Sequence, residues 1–214
     1  MLTVHHLNNS RSQRILWLLE ELELPYEIVR YQRLSPVPFA PPELKAVHPL
    51  GKSPVVTDGE STIAESGAIV EYILDKYGNG RLRPKPGSRD HVKYIEWMHY
   101  AEGSAMLPLL MHMYLGVLGD GAAPLRPRVD SEIANHLSYM EAAIGGREFF
   151  VAHDLTGADI QLTFVLEAAD ASGLLRDYPV LTGYLARMQA RPAYRRAIEK
   201  GGSYDLAANR RRTN

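Results

Sequence analysis

Residues 48–73 read HPLGKSPVVTDGESTIAESGAIVEYI, and this segment contains the strongest structural signals of the chain. Pro54 has no backbone N–H, so it should stand at the first residue of a strand or at a sheet edge, and a cis bond before it is plausible. Two short β-prone runs, residues 55–56 and 62–63, flank Asp58-Gly59, which is a strong hairpin signal. The stretch therefore predicts a β-hairpin that begins at a proline.

A helix is predicted directly after the hairpin, because apolar residues recur at helical spacing at positions 69, 70, 73 and 77. Glu65 and Ser66 would lie at its N-terminus, where free N–H groups and the helix dipole favour an anion. An exposed backbone at Val55 can pair with an extended peptide. The combination suits a short peptide with a free carboxylate. An ordinary hairpin followed by a capped helix is the alternative, and these residues alone do not decide between the two.

Composition narrows the function classes. The 214 residues allow one or two domains, and a formal net charge of −1 offers no field that attracts nucleic acid or an anionic membrane. With no cysteine, disulfides, thiolate zinc sites and an enzyme-borne thiol nucleophile are excluded, and the eight histidines show no tight metal-ligand spacing. No signal core is visible and no run approaches the roughly 20 apolar residues of a membrane span. We expect a soluble, cytoplasmic protein without a metal.

The first part of the chain predicts an α/β domain. A strand at residues 2–7, a helix at 12–22 and a strand at 26–31 form a βαβ unit with parallel strands. A proline-rich, irregular segment, residues 35–49, contains a possible short helix at 43–47 and precedes the hairpin and the helix of residues 66–77. This order of elements predicts a thioredoxin-like domain.

The second part of the chain predicts only helices. Apolar residues Val92, Ile95, Met98 and Met106 mark a long helix to about residue 118, which Pro108 should kink. A stripe at positions 129, 133, 137, 140 and 144 marks another helix, and a capping-box-like TGAD at residues 156–159 opens a third, to residue 174. Further helices follow Pro179 and residue 192. The fold class is therefore α/β plus all-α.

Six fragments, spread over both parts, resemble the glutathione transferase family. They are SRSQRILWLLEEL (10–22), HPLGKSPVV (48–56), ES (65–66), WMHYAEG (97–103), LTGADI (155–160) and RPAY (191–194). Each fragment alone is weak, but their order and spacing carry the assignment. The SRSQR start is similar to bacterial and fungal members with a serine- or asparagine-type site. The resemblance implies a glutathione-binding domain at residues 1–78, a linker at 79–87 and an all-helical domain at 88–214 that forms the pocket for the electrophile.

The resemblance also implies the chemistry. Glutathione would be a co-substrate, with no cofactor, and its thiol would be converted to a thiolate and conjugated to a small hydrophobic electrophile. A hydroxyl or amide donor at the end of the first strand can stabilise the thiolate by hydrogen bonding. Ser10 is our first candidate and Asn9 the second, whereas Ser12 is expected to cap the helix.

The other glutathione contacts follow from matched positions. Val55, with Ser53 and Pro54 before it, is expected to offer its backbone to the cysteinyl residue. Ser66 is expected to bind the γ-glutamyl carboxylate and Glu65 the amino group.

Two further sets of residues are implied. Lys52 is expected to meet the glycyl carboxylate, with help from His48. Arg14 is expected to be structural.

The electrophile pocket is expected to be lined by residues of one long helix, namely Tyr100, Met106, Leu109, Leu110, Met113 and Tyr114, although apolar residues at this spacing are also typical of a core. A homodimer is implied by the family.

Two other functions stay open. A glutathione-dependent disulfide reductase or peroxidase would use the same site, and a non-catalytic binding or regulatory module would not need one. Glutathione affinity separates the last from the other two.

Overall fold

The computed structural model describes residues 1–34 and 39–207. Contacts divide the described residues into two compact units, one made of residues 1–83 and 188–207, the other of Pro84–Arg187. Residues 35–38, the first part of the segment predicted to be irregular, lie outside the described residues. The domain boundaries proposed from the sequence, with a linker at residues 79–87, stay a prediction.

The first unit has a thioredoxin-like core. Its elements are β1 (Leu2–Leu7), α1 (Ser12–Glu21), β2 (Tyr26–Tyr31), α2 (Leu44–Val47), β3 (Val55–Asp58), β4 (Ser61–Ala64) and α3 (Ser66–Tyr77). The sheet has the order β2-β1-β3-β4, with β1 and β2 parallel and the other pairs antiparallel. This architecture confirms the predicted βαβ unit, the hairpin and the helix from Ser66.

The hairpin closes through a two-residue turn, since Asp58 pairs with Ser61. Gly59 has φ +60 there, a left-handed conformation that glycine adopts without steric cost. The Asp58 carboxylate accepts hydrogen bonds from Lys76 and Tyr77 on α3, which hold the pKa of Asp58 well below its usual range. The turn is therefore fixed to the helix that follows it.

The expectation that the backbone of Val55 is exposed is wrong. Strand β3 is an inner strand, and Val55 pairs with His5 of β1 and with Ala64 of β4, at 1% exposure. Pro54 directly precedes β3, one residue before the predicted position, and the Ser53–Pro54 bond is cis. The sheet continues on both sides of β3, so Val55 lies at no open edge.

Helix α1 is buried along its length, from Ser12 to Glu20, because a second helix covers it. This partner is α9 (Pro192–Gly201), close to the end of the described chain. The rings of Trp17 and Tyr194 meet edge to face at 5.4 Å. Glu20 of α1 accepts from Arg196 and Lys200 of α9. The predicted boundaries place this last helix in the helical domain, whereas the contacts group it with the first unit.

The second unit is helical in its described residues. It contains α4 (Arg89–Tyr100), α5 (Met106–Leu118), α6 (Arg126–Ile144), α7 (Gly157–Asp170) and the first part of α8 (Pro179–Ala190). The predicted stripe on α6 is buried at all five positions. Helix α7 ends at Asp170, earlier than predicted.

The long predicted helix departs from α-helical geometry shortly before Pro108. The long helix is interrupted by a π-helical turn, Ala101–Ala105, and Pro108 is the third residue of α5. A proline cannot donate to the carbonyl four residues earlier and its ring crowds that carbonyl, so the wider turn precedes it. Two of the four residues that marked this helix, Val92 and Ile95, are 63% and 43% exposed.

The capping box at the start of α7 is confirmed. Asp159 is fully buried, and its carboxylate accepts from Thr156 N and Thr156 Oγ1 at 2.9 and 2.8 Å. It also accepts from Phe150 N and from Tyr184 OH, each at 2.9 Å. One carboxylate therefore holds together a loop and two helices of this unit.

One helical run, Arg89–Ala122, is long and apolar enough to cross a membrane by length and composition, with a mean hydropathy of 1.2 in its best window. From the sequence we expected no membrane span. Core helices of soluble proteins pass the same test, so the result alone carries no assignment.

Candidate functional site

A tight turn joins β1 to α1 and carries both candidate thiol donors. Asn9 has φ +51, a left-handed conformation that asparagine tolerates better than most residues. Its side-chain Oδ1 accepts from Asp205 N at 2.7 Å, and its carbonyl oxygen accepts from Arg33 Nη2 at 2.9 Å. The turn is thus held by the segment after α9 and by the segment after β2.

Ser10 and Ser12 form a buried pair of hydroxyls. Their Oγ atoms are 2.8 Å apart, and Ser10 Oγ also accepts from Ser12 N at 3.2 Å. Ser12 Oγ lies 2.8 Å from His6 Nδ1 and 3.2 Å from Leu7 O. The expectation that Ser12 caps α1 is wrong, because no side chain caps this helix and Arg11 is the N-cap residue.

His6 continues the chain of hydrogen bonds toward α9. It donates to the backbone of Gly201, and burial lowers the pKa of His6 to about 4. The other ring nitrogen points to Gly201, so the single proton of Ser12 goes to Nδ1 or to Leu7 O, and in either case Ser12 Oγ accepts from Ser10. A larger residue at position 201 would be crowded, since a Cβ there would lie 2.8 Å from Gln13 Oε1.

Ser53 extends the ladder between β1 and β3 with its side chain. Its hydroxyl donates to His5 O at 2.8 Å and accepts from Leu7 N at 3.2 Å. No hydrogen bond joins the Ser53 backbone N–H or C=O to any of the described residues. The unpaired backbone near the cis proline is therefore at Ser53 and not at Val55.

The start of α3 combines a strained residue with a buried cation. Glu65 precedes the helix with φ +68 and ψ 118, an unusual conformation for a residue with a side chain. Ser66 is 4% exposed, and its Oγ accepts from Arg14 Nη1 at 2.9 Å. Arg14 is itself 2% exposed. A guanidinium, a hydroxyl and the first N–H groups of the helix thus meet at one point.

Lys52 and His48 lie in the loop before β3. Lys52 is exposed, and His48 is half-buried and accepts from Leu50 N at 3.4 Å within its own loop. Neither side chain forms a hydrogen bond with Ser53 or Ser66. Their predicted role stays a prediction.

The residues predicted for the electrophile pocket differ widely in exposure. Met106 and Leu109 are 5% and 6% exposed, whereas Tyr114 is 61% exposed. Leu110 and Met113 are half-buried. Tyr100 is also half-buried, and its hydroxyl lies 2.7 Å from His136 Nδ1. Met106 and Leu109 belong to the core of the helical unit.

The residues that the structure brings together around the end of β1 were found only in part from the sequence. Ser10, Asn9 and Ser53 were predicted, and His6 was missed. Arg14 was taken as structural, yet it bonds Ser66. For His6 and Arg14 the sequence offered only their positions as a signal. His6 lies one residue before the end of a strand, and Arg14 lies four residues after Ser10. In residues 1–34 and 39–207, no group of three or more metal-binding side chains is placed to hold a metal ion.

Comparisons with known proteins agree with this layout. A family model described as the glutathione S-transferase N-terminal domain matches residues 1–75, and one described as the C-terminal domain matches residues 122–200. Glutathione S-transferase 3 of Schizosaccharomyces pombe is 34% identical over 215 residues, covering 94% of this chain and 88% of the relative. Glutathione S-transferase 1 of Saccharomyces cerevisiae is 32% identical over 225 residues, covering 94% and 95%.

A solved structure is also similar. The crystal structure of a glutathione S-transferase from Actinobacillus pleuropneumoniae superposes with a TM-score of 0.85 at 36% identity, covering 97% of this chain and 96% of that one.

Proposed function

The chain belongs to the glutathione S-transferase family, and on that premise we propose that it binds glutathione, stabilises the thiolate and transfers it to small hydrophobic electrophiles. The observation that best supports this proposal is the contact between Arg14 Nη1 and Ser66 Oγ at the start of α3. This contact places a hydroxyl and a guanidinium side by side at the first turn of the helix. The buried guanidinium and the helix N-terminus both favour a carboxylate there. The γ-glutamyl carboxylate is the group we assign to this point, with Glu65 near the amino group.

The cysteinyl residue of glutathione pairs with Ser53 in this proposal. The Ser53 backbone has no partner among the described residues, and its position is fixed by two side-chain hydrogen bonds to β1. An extended peptide that pairs there adds a short strand segment, as in β-augmentation. The role moves from Val55, whose backbone is taken up by the sheet. Pro54 fixes the direction of the chain, and Lys52 and His48 remain our candidates for the glycyl carboxylate.

The thiolate is stabilised by a donor in the turn between β1 and α1. Ser10 is our first candidate, since the hydrogen bond from Ser12 N fixes its oxygen. Its proton bonds Ser12 Oγ in the absence of a ligand, but a thiolate is a charged acceptor and forms the stronger hydrogen bond. Asn9 is the second candidate, because the bond from Asp205 N to its Oδ1 fixes the orientation of its amide.

The reaction needs no further group from the chain. The glutathione thiol loses its proton to solvent, the sulfur attacks an electrophilic carbon, and the leaving group departs with the electron pair of its bond. A donor that binds S⁻ more strongly than S–H raises the thiolate fraction at neutral pH, since an unperturbed thiol has a pKa of about 8.5. The electrophile would contact Tyr100, Leu110, Met113 and Tyr114, with no cofactor. We also propose a cytoplasmic homodimer that binds neither nucleic acid nor membrane.

Calorimetry with glutathione and a conjugation assay with 1-chloro-2,4-dinitrobenzene test the proposal together. We expect micromolar to millimolar binding that weakens about 10- to 100-fold in Ser66→Ala, the usual range for a hydrogen bond to a charged group. Ser61→Ala, an exposed serine in β4, is the matched control and should bind as the wild type does.

The outcomes separate the alternatives. Binding with chloride release from the dinitrobenzene supports conjugation. Binding without it, but with turnover of a glutathione disulfide or a hydroperoxide, supports the reductase or peroxidase instead. Absence of glutathione binding contradicts both enzymes and leaves a non-catalytic binding module.

A further inference from the structure

We propose that the helical unit carries a second ligand site, for a small aromatic carboxylate, which shares no residue with the glutathione contacts assigned above. The site is a cavity of about 360 Å³ between α4, the second half of α6 and the loop of residues 147–152. Every lining residue belongs to the second unit. This inference does not depend on the proposed transferase activity.

Aromatic rings form the apolar wall of the cavity. Trp97 and Phe150 are 4% and 1% exposed, and their rings meet at 4.9 Å. Tyr139 lies against Trp97 with ring centroids 5.3 Å apart and an interplanar angle of 26°. Tyr139 is also 44% exposed, so part of this residue lies open at the edge of a packed aromatic cluster. A planar ring can stack there in the offset arrangement that aromatic pairs prefer.

Cationic side chains line the rest of the cavity. The lining contains three cationic side chains, Arg89, Lys93 and Arg147, and one carboxylate, Asp90. Lys93 is already engaged, because its Nζ lies 2.7 Å from Glu96 Oε2. Among the described residues, neither Arg89 nor Arg147 forms a salt bridge, and the one side-chain bond recorded for Arg147 goes to the carbonyl of Ala143. Two guanidinium groups are therefore available to an anion.

The combination defines the ligand class. A cavity of this volume is at the small end of ligand pockets, which suits a molecule of one or two rings. The aromatic wall selects a planar apolar body, and a guanidinium binds a carboxylate through two parallel hydrogen bonds. An aliphatic acid would leave the aromatic wall unused, and a neutral arene would leave both arginines unpaired. We therefore assign the site to an aromatic monocarboxylate.

The test uses the full-length protein and 2-naphthoate, with 2-naphthamide as a neutral ligand of matched shape. Calorimetry is carried out on the wild type, on the double variant Arg89→Gln/Arg147→Gln, and on the control Arg128→Gln. Both arginines of the double variant are exposed, so folding should be retained, and a thermal melt checks this. Arg128 is an exposed arginine of α6 that pairs with Glu132 and lies outside the cavity. Each titration is repeated with saturating glutathione.

We expect 2-naphthoate to bind the wild type and Arg128→Gln equally, and to bind the double variant about tenfold more weakly, as the loss of charge-assisted hydrogen bonds requires. The amide should bind the wild type about as weakly as the acid binds the double variant, and glutathione should change none of these affinities. Equal affinity for acid and amide, or an unchanged affinity in the double variant, would overturn the assignment. So would competition by glutathione, or the absence of binding at millimolar 2-naphthoate.

Discussion

The Oγ atoms of Ser10 and Ser12 lie 2.8 Å apart, and the same Ser12 oxygen lies 2.8 Å from Nδ1 of His6. A residue at the end of β1 therefore reaches, through one hydroxyl, the residue that we propose as the thiolate donor. His6 is in turn bonded to the backbone of Gly201 at the end of α9. The position of the Ser10 hydroxyl thus depends on the docking of a helix nearly 200 residues away in sequence.

Replacing Ser10 tests the donor. Ser10→Ala should lower kcat/KM for 1-chloro-2,4-dinitrobenzene about 10²- to 10³-fold, the typical cost of one donor to a developing or full negative charge. Glutathione affinity should stay within a few-fold, because the other contacts of the tripeptide are intact. Asn9→Ala is the matched variant in the same turn and should have the smaller effect on kcat/KM. The reverse order of the two variants would assign the donor to Asn9.

Stability should fall with acid because of His6. The folded state keeps its imidazole neutral down to about pH 4, whereas the unfolded chain protonates it near pH 6.5. The unfolded state then binds more protons below pH 6.5, so the free energy of unfolding decreases as the pH falls from 6.5 to 4, by up to about 3 kcal/mol. Urea denaturation at several pH values measures this slope.

The variant His6→Asn should flatten part of that slope. Asparagine retains an acceptor for Ser12 but does not titrate. His153→Gln, which replaces an exposed histidine, should keep the wild-type slope. Burial also lowers the pKa of His5, so some slope remains in His6→Asn. An unchanged slope in His6→Asn would show that His6 is not the buried neutral group we describe.

Glu20 should anchor α9 to α1. Burial alone would raise the pKa of Glu20, but hydrogen bonds from Lys200, Tyr26 and Arg196 outweigh it and lower the pKa. Glu20→Gln should therefore reduce the free energy of unfolding by about 1–3 kcal/mol at neutral pH. Because the folded pKa lies below the unfolded one, the difference should shrink as the pH falls through the folded pKa. Glu27→Gln, at an exposed position of β2, is the control, and equal effects of both substitutions would refute the anchor.

Asp159 should be the most sensitive single position of the helical unit. Asp159→Ala leaves four donors from Phe150, Thr156 and Tyr184 without their acceptor in a fully buried site. We expect a loss of about 3–5 kcal/mol in the free energy of unfolding, measured by urea denaturation. Asp154→Ala, an exposed acid in the preceding loop, should cost less than about 0.5 kcal/mol. A small effect of Asp159→Ala would mean that the loop repacks.

Local patterns predicted most of the elements. The bounds of β1, β2 and α3, the hairpin at Asp58-Gly59 and the capping box at Thr156 follow from periodicity, turn chemistry and capping, which act between near neighbours. The family, too, followed from short motifs whose order spans both parts of the chain.

The errors share a different origin, since each depends on a tertiary contact. An exposed backbone was expected at Val55 because the local hairpin signal gives β3 only one neighbour, β4. The other neighbour, β1, lies some 50 residues earlier in the sequence and pairs with the other side of Val55. Ser12 had the residue type of a cap but is drawn to His6. The docking of α9 on α1 has no local signature, because the partners are separated by most of the chain.

The most direct test of the central claim is the ionisation of glutathione bound to this protein. The thiolate absorbs ultraviolet light more strongly than the thiol, so a pH titration of the complex, corrected for free protein and free glutathione, gives the pKa of the bound thiol. We expect a pKa at least one unit below the roughly 8.5 of an unperturbed thiol, and a return toward that value in Ser10→Ala. A bound thiol that titrates like the free one would contradict thiolate stabilisation, and with it the proposed transferase mechanism.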